Sequence, residues 1–389
     1  MTASAEEPVA TVRMSWEDVC ARRLGRHALS VPSTEGCVQV AAGMGGVHAQ
    51  VMTAAELGIG LRVDGATRAD VRRALWEERS LVKAHGPRGT VHVLPARDLP
   101  MWVGALSALA PAPSPFQDGV RMTAEQTEEV VAAIAAAVDE ADLTVDELTE
   151  AVVERTGPWA GDLVMPAFQT LWPRWRQAMA QAGQRGAMCF GPVRGRKVTY
   201  SSPRRLHPGF QPAPADAALA WLVRSYLHAY GPSTPARFAH WLNAPAGWAA
   251  DLFETLDLER VEVEGTRAWV AAGDTEAPLD APRGVRLLPY FDVYAYRVGN
   301  QPPELLYPGR AAERALRGNF QLLLVDGVVA GLWHQRRSGR RVDVTAEPLV
   351  PLTKAQHTDL EEQVERVAHV LEATKITFTL GPVTVGGHA

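Results

Sequence analysis

Apolar residues recur at three- and four-residue spacing around 15–28, 47–62 and 67–79, which predicts helices with one buried face each. Two short strand-like runs follow at 81–85 and 90–94, joined by Gly86-Pro87-Arg88-Gly89, residues suited to a reversing turn. The same order then returns. After Pro111-Ala112-Pro113-Ser114-Pro115, helical spacing runs near 123–138, 144–155 and 163–182, ahead of strand-like runs at 187–190 and 197–201. After Pro212-Ala213-Pro214 it runs near 215–229, 234–242 and 247–256, ahead of 261–263 and 267–271. From 285 onward strands dominate, at 285–288, 320–325, 328–334 and 341–345, with a helix over 353–374 and a last strand over 375–380. Asp326-Gly327 and Ser338-Gly339 are the turn signals between them.

Helices followed by a two-stranded hairpin follow the winged-helix plan, in which one helix can enter a groove of a duplex while the hairpin touches the adjacent backbone. Other α+β domains share this order, so order alone leaves the fold open. The predicted architecture is α+β. It has helix-and-hairpin units over 13–110, 116–211 and 212–280, and a β-rich domain over 281–389 that forms a meander or small barrel.

With 389 residues the chain suits several cores, and 47% hydrophobic with 21% charged residues is an ordinary globular balance. No apolar run approaches the roughly 20 residues of a membrane span. The start MTASAEEPVA lacks the parts of a signal peptide, so a cytoplasmic protein without membrane contact is expected. Cys20, Cys37 and Cys189 lack metal-ligand spacing and read as buried thiols; no metal or organic cofactor is called for.

The net charge of −5 conceals an uneven distribution. Between Arg174 and Arg205 lie eight basic residues and no acidic one, among them Arg194, Arg196 and Lys197 in the second hairpin. From Asp118 to Glu154 there are eleven Asp and Glu against the single Arg121. The expectation is a phosphate-binding face and a separate acidic face turned to solvent.

Several segments in order, Leu81 to Pro95, Cys189 to Thr199, Tyr230-Gly231-Pro232-Ser233-Thr234-Pro235-Ala236 and Leu287-Leu288-Pro289-Tyr290-Phe291-Asp292, resemble the winged-helix DNA glycosylases of the AlkZ/YcaQ superfamily. The resemblance covers roughly 13–350. It implies three tandem winged-helix units in a C-shaped arrangement with a β-barrel-like C-terminal domain, gripping double-stranded DNA, and excision of alkylated purines. The AlkZ branch carries Gln-hydrophobic-Gln in the first unit; here the matching positions read Gly46-Val47-His48-Ala49-Gln50, so His48 replaces the first Gln and Gln50 remains.

Hydrolysis of an N-glycosidic bond needs a departing base, shelter for an oxocarbenium ion and a placed water. Alkylation at N7 or N3 makes a purine cationic and prone to leave, so little acid assistance is needed. A pair that holds and weakly polarises water then suffices, and His48 with Gln50 fits that task, with His48 as neutral base or as water holder. Two residues apart, they lie on one side only of extended chain, so the pair is expected where a loop enters a helix, after Gly45-Gly46 and before the stripe Ala54, Leu57, Leu61.

The expected activity is that of a monofunctional, monomeric DNA glycosylase acting on cationic alkylpurines, with bulky genotoxin adducts and antibiotic self-resistance within its scope. The rival is a winged-helix regulator or damage-binding protein in which His48 and Gln50 only pack. Candidate DNA contacts are Lys83, Arg88, Arg194, Arg196, Lys197, Arg336 and Arg337. Arginines flanking a tight turn also serve solubility, and Trp172 and Trp175 read either as stacking platforms or as core. Asp292 reads as a hydrogen-bonding turn residue rather than a catalyst.

Overall fold

The computed structural model describes residues 12–110, 114–167, 170–276, 278, 283–295 and 302–384; the proline-rich stretch 111–113 lies outside them. One order of elements occurs three times. In the first occurrence, helix Cys37–Gly43, strand Val47–His48, helices Met52–Gly60 and Arg68–Trp76 and the hairpin Leu81–His85/Val91–Pro95 follow one another. In the second, helix Ala124–Glu140 leads to strand Leu143–Thr144, helix Val145–Thr156, helix Met179–Gln184 and the hairpin Cys189–Arg194/Lys197–Ser201. In the third, helices Ala215–Tyr230, Pro235–Leu242 and Ala246–Glu254 precede the hairpin Leu258–Val263/Thr266–Ala271, and the leading strand shrinks to one bridge between Ser233 and Trp269. Each time the leading segment pairs with the second strand of the hairpin.

Local chemistry starts these helices. Thr123 and Gln126, Thr144 and Glu147, and Thr353 and Gln356 form reciprocal capping boxes that satisfy the first free backbone N–H groups. Thr234 caps Pro235–Leu242 ahead of a proline, and Asn243 ends that helix in the left-handed region at φ 60°.

The segment 163–182, read above as a helix, is instead a small hairpin, Leu163–Pro166/Leu171–Pro173, followed by tight turns and the short helix Met179–Gln184. Pro166 and Pro173 explain this: neither can donate inside a helix, and each clashes with the preceding turn.

The C-terminal sheet orders its strands as Val285–Leu288, Gln321–Val325, Val328–Ser338, Arg341–Pro348 and Lys375–Leu380, the last pair parallel. Of the meander or small barrel expected, the barrel is corrected: among the described residues the sheet does not close, and Val285–Leu288 and Lys375–Leu380 remain separate edges. Both faces are buried by other means. Helix Lys354–Val370 covers one face through Leu360, Val364 and Val367, joined by Leu57 and Leu61 from the first unit. Leu24 of helix Trp16–Arg26, with Leu29, Leu306 and Tyr307, covers the other. A sheet sandwiched in this way has no apolar face left for closure to hide.

The first and third units share one core, in which Trp102, Tyr226, Tyr230, Phe238 and Trp241 interlock. The second unit has a core of its own around Val130, Ile134, Leu148 and Trp175. Among the described residues no helix is long and apolar enough to cross a membrane.

Candidate active site and nucleic-acid contacts

Helix Cys37–Gly43 stops at a double left-handed turn, Gly45 (φ 64°) and Gly46 (φ 87°). A Cβ on Gly46 would lie 2.7 Å from Leu94, so glycine is required there for space as well as for conformation. The Tyr230 hydroxyl fastens this turn by donating to the Met44 carbonyl at 2.7 Å. The chain then runs straight into strand Val47–His48, where His48 pairs with His92. Ala49 donates to Val91 O at 2.7 Å, the chain leaves the sheet at Gln50, and helix Met52–Gly60 begins. The candidate pair therefore spans the exit from a strand, just ahead of a helix. His48 is buried, 5% exposed, while Gln50 is exposed at the surface of the same step.

The environment of His48 removes water from the ring. The His92 ring meets it edge-on at 5.3 Å between centroids, and Phe291 of the C-terminal domain lies 5.2 Å away at 48°. Burial, helped by the nearby Arg88 guanidinium, pushes the His48 imidazole down to about 4. His92 is lowered well below its ordinary value for the same first reason, and its Nδ1 donates to Thr90 O at 3.0 Å. At neutral pH both rings are uncharged and able to accept a proton.

Phe291 reaches this place through an ion pair. Arg62 donates from Nη1 to Asp292 Oδ2 at 2.8 Å and from Nη2 to Oδ1 at 2.7 Å, with both side chains buried. Asp292 also accepts from the Tyr294 amide at 3.0 Å, which agrees with the hydrogen-bonding role read for it. The turn 289–292 thus docks on the helix that follows His48, with Pro289 packed near Gly58. Phe291 itself sits at φ 59°, a conformation that costs a bulky residue about 1–3 kcal/mol and persists only where its surroundings impose it. The sequence reading found Asp292 but missed Phe291, Arg62 and His92 as neighbours of the site.

The candidate DNA contacts fall into three groups. Lys83 and Arg88 serve the packing between units: the Lys83 ammonium lies 4.8 Å from the centre of the Phe190 ring, and Arg88 donates to the Trp241 carbonyl. Arg194 and Lys197 are exposed but paired, Arg194 with Glu147 at 2.7 Å and Lys197 with Asp146 at 2.7 Å. Arg196, Arg336 and Arg337 are exposed on their hairpins. The separate binding and acidic faces expected above are corrected here. Arg185 pairs with Glu128 and Arg205 with Asp142 as well, so the basic stretch and the acidic stretch lie against each other. The two blocks are distant in sequence, but the helix at 145–156 packs beside the second hairpin and mixes them.

Trp175 is fully buried, the core reading of the two left open above, whereas Trp172 on the small hairpin carries the Arg176 guanidinium 3.7 Å over its ring. Cys20 and Cys189 are buried and Cys37 is half-buried, all as free thiols. A cleft of about 430 Å³ elsewhere on the first unit is lined by Glu35, Asp64, Asp70 and Glu78, a charge that repels a polyanion, and includes neither His48 nor Gln50. Among the described residues no cluster of His, Cys, Asp or Glu is placed to hold a metal ion.

A curated relative, the interstrand DNA cross-link repair glycosylase of Streptomyces sahachiroi, is 28% identical over 386 residues, spanning 94% of this chain and 98% of its own. The solved structure of the Streptomyces sahachiroi DNA glycosylase AlkZ superposes with a TM-score of 0.80 at 25% identity, covering 95% of this chain and all of that one. Residues 41–370 match the family described as "DNA glycosylase AlkZ-like", and over that span the chain belongs to the AlkZ-like DNA glycosylase family.

Proposed function

We propose that this glycosylase hydrolyses the N-glycosidic bond of cationic N7- or N3-alkylated purines in double-stranded DNA, with His48 and Gln50 as its catalytic pair. The observation that carries this reading is the buried His48 imidazole, walled by His92 and Phe291, two residues before the exposed Gln50 at the exit from a strand. Gln50 orients the attacking water or the sugar, and His48 accepts a hydrogen bond from that water. As the C1′–N bond breaks, its electron pair enters the purine and cancels the positive charge. The water oxygen bonds to C1′, and its proton passes to His48 and on to solvent, leaving an abasic site and no Schiff base. An imidazole titrating near 4 is a weak base, so water placement outweighs proton abstraction in what it contributes.

The threefold element order, with each leading strand on the second hairpin strand, supports reading the units as winged helices within 13–110, 116–211 and 212–280, ahead of the domain at 281–389, although strand Val12–Met14 joins the third hairpin and helix Trp16–Arg26 packs on the C-terminal sheet. In this reading they form a C-shaped clamp that works as a single copy. The exposed Arg196, Arg336 and Arg337 touch phosphates, and Arg194 and Lys197 exchange their carboxylates for phosphates. A clamp that grips the backbone need not enclose the whole lesion, so bulky and cross-linked guanine adducts fall within its range, as does protection of a cell that makes such an alkylating agent.

The test incubates the protein with duplexes holding N7-methylguanine or a bulky N7-guanine adduct, followed by cleavage of abasic sites with alkali. Release is expected from both, falling by about 10²–10⁴ in His48→Ala and Gln50→Ala and by no more than about tenfold in His48→Gln. Binding without strand breaks on either substrate would instead identify a non-catalytic damage-binding protein.

A further inference from the structure

We propose that Phe291 is a positioning residue of the catalytic centre: carried by the C-terminal domain, its ring covers one face of the His48 imidazole and keeps it dry and oriented. The inference rests on the reading of His48 as the group that holds the attacking water.

Three observations converge on it. The ring is 5.2 Å from that of His48, tilted by 48°, and half-buried, so it forms a wall of the site rather than part of a distant core. Its backbone adopts φ 59°, which asparagine or glycine would occupy more readily. The neighbouring Asp292 is held by two hydrogen bonds from Arg62 on the first unit, which explains how the turn keeps that conformation. A bulky residue forced into a left-handed turn, beside a buried ion pair that ties two domains together, marks a place where geometry has been kept at the expense of stability.

Among the described residues, charged and titratable groups around the ring include His92 and Arg88 of the first hairpin, Asp292 with Arg62, and Tyr290 with His334. Asp292 is already committed to Arg62. Burial is the largest influence on the His48 imidazole, and the Phe291 ring supplies part of that cover. Removing the ring admits water on that face and lets His48 drift back toward the ordinary imidazole value of about 6.5.

The experiment uses Phe291→Gly, which removes the ring while easing the left-handed backbone, and Phe291→Leu, which keeps apolar cover. Two readouts are followed: the acid limb of kcat/KM for release of N7-methylguanine, and the titration of the His48 imidazole by NMR, assigned by comparison with His48→Gln. In the unaltered protein kcat/KM is expected to stay flat down to about pH 5. In Phe291→Gly the imidazole titrates well above 4, moving toward 6.5, and kcat/KM at pH 5.5 falls several-fold, up to about tenfold, relative to pH 7.5; Phe291→Leu restores most of the original profile. Should Phe291→Gly fail to fold, Phe291→Asn also tolerates the backbone and brings water to the ring, with the same expected shift. An unchanged His48 titration and acid limb in the folded glycine or asparagine variant, alongside an inactive His48→Ala, would overturn the role of Phe291 alone. Full activity in His48→Ala would overturn the reading on which it rests, whatever Phe291 does.

Discussion

Around His48 the protein takes charge out of water and pairs it once: Arg62 and Asp292 are both buried, and the imidazoles of His48 and His92 are held neutral. The second unit does the reverse. Arg194 and Lys197 stand in solvent against Glu147 and Asp146, and the half-buried Arg185 meets the exposed Glu128, in pairs that hydration weakens. An exposed pair contributes roughly 0–1 kcal/mol, whereas breaking a buried one costs about 3–5 kcal/mol because a bare charge stays behind. The junction is thus built to hold a geometry, and the second unit to trade one anion for another. A phosphate can replace a carboxylate there at small cost.

Acid should separate the two regions most strongly. Burial holds His48 and His85 down to about 4, and lowers His27 and His92 as well. Their folded values lie below the unfolded value of about 6.5, so the unfolded chain binds more protons between the two. Stability is therefore complete above about pH 6.5 and falls as pH drops toward 4. His48 and His85 each account for up to about 2 kcal/mol by pH 5. Thermal unfolding at pH 7.5 and pH 5 checks this, and equal midpoints would break the contrast. The second unit adds little in that window, since hydrogen bonds from Thr144 hold Glu147 below the ordinary carboxylate range.

Asp292→Ala should come next, destabilising the protein by about 3–5 kcal/mol as it strands Arg62 in the junction. Urea unfolding measures it; a loss under 1 kcal/mol would mean that the junction hydrates as freely as the second unit. Glu147→Gln with Asp146→Asn should leave stability within about 1 kcal/mol while tightening DNA binding a few-fold. It should also steepen the salt dependence of binding, by up to about one charge for each cation released. Fluorescence anisotropy at several salt concentrations reads both effects, and unchanged affinity would mean that Arg194 and Lys197 do not meet phosphate. The smallest change is expected from Arg196→Ala, which should flatten that same salt slope by about one charge without altering folding.

Elements announced by a local signal were the legible ones. Asp326 (φ 51°) and Gly327 (φ 86°) make the tight hairpin their dipeptide predicts, and strand Lys375–Leu380 lies where alternation put it. Its parallel pairing with Arg341–Pro348 was not legible, because it depends on where helix Lys354–Val370 carries the chain. The small hairpin at 163–173 was misread because its apolar spacing suits either element over so short a run, although Pro166 and Pro173 were the available warning. At the site, His48 and Gln50 emerged only through resemblance, since a lone imidazole after two glycines has no chemical signature of its own. Phe291 lay inside a quoted motif, yet nothing in that motif says that its ring ends on His48. That contact joins residues some 240 positions apart, and the Arg62–Asp292 pair beside it spans a similar distance in sequence.

Strand Val12–Met14 lies parallel to Leu258–Val263 in the third unit, and helix Trp16–Arg26 goes on to cover the C-terminal sheet. During synthesis this segment emerges long before either of its partners. Their partners appear only after most of the chain has been made, so the N-terminal segment spends translation without its sheet. Contacts of such separation slow folding and leave apolar surface such as Val19 and Leu24 open to wrong partners meanwhile. The strand at 12–14 is therefore held by a partner some 250 residues away, so its place in the fold is settled late in assembly.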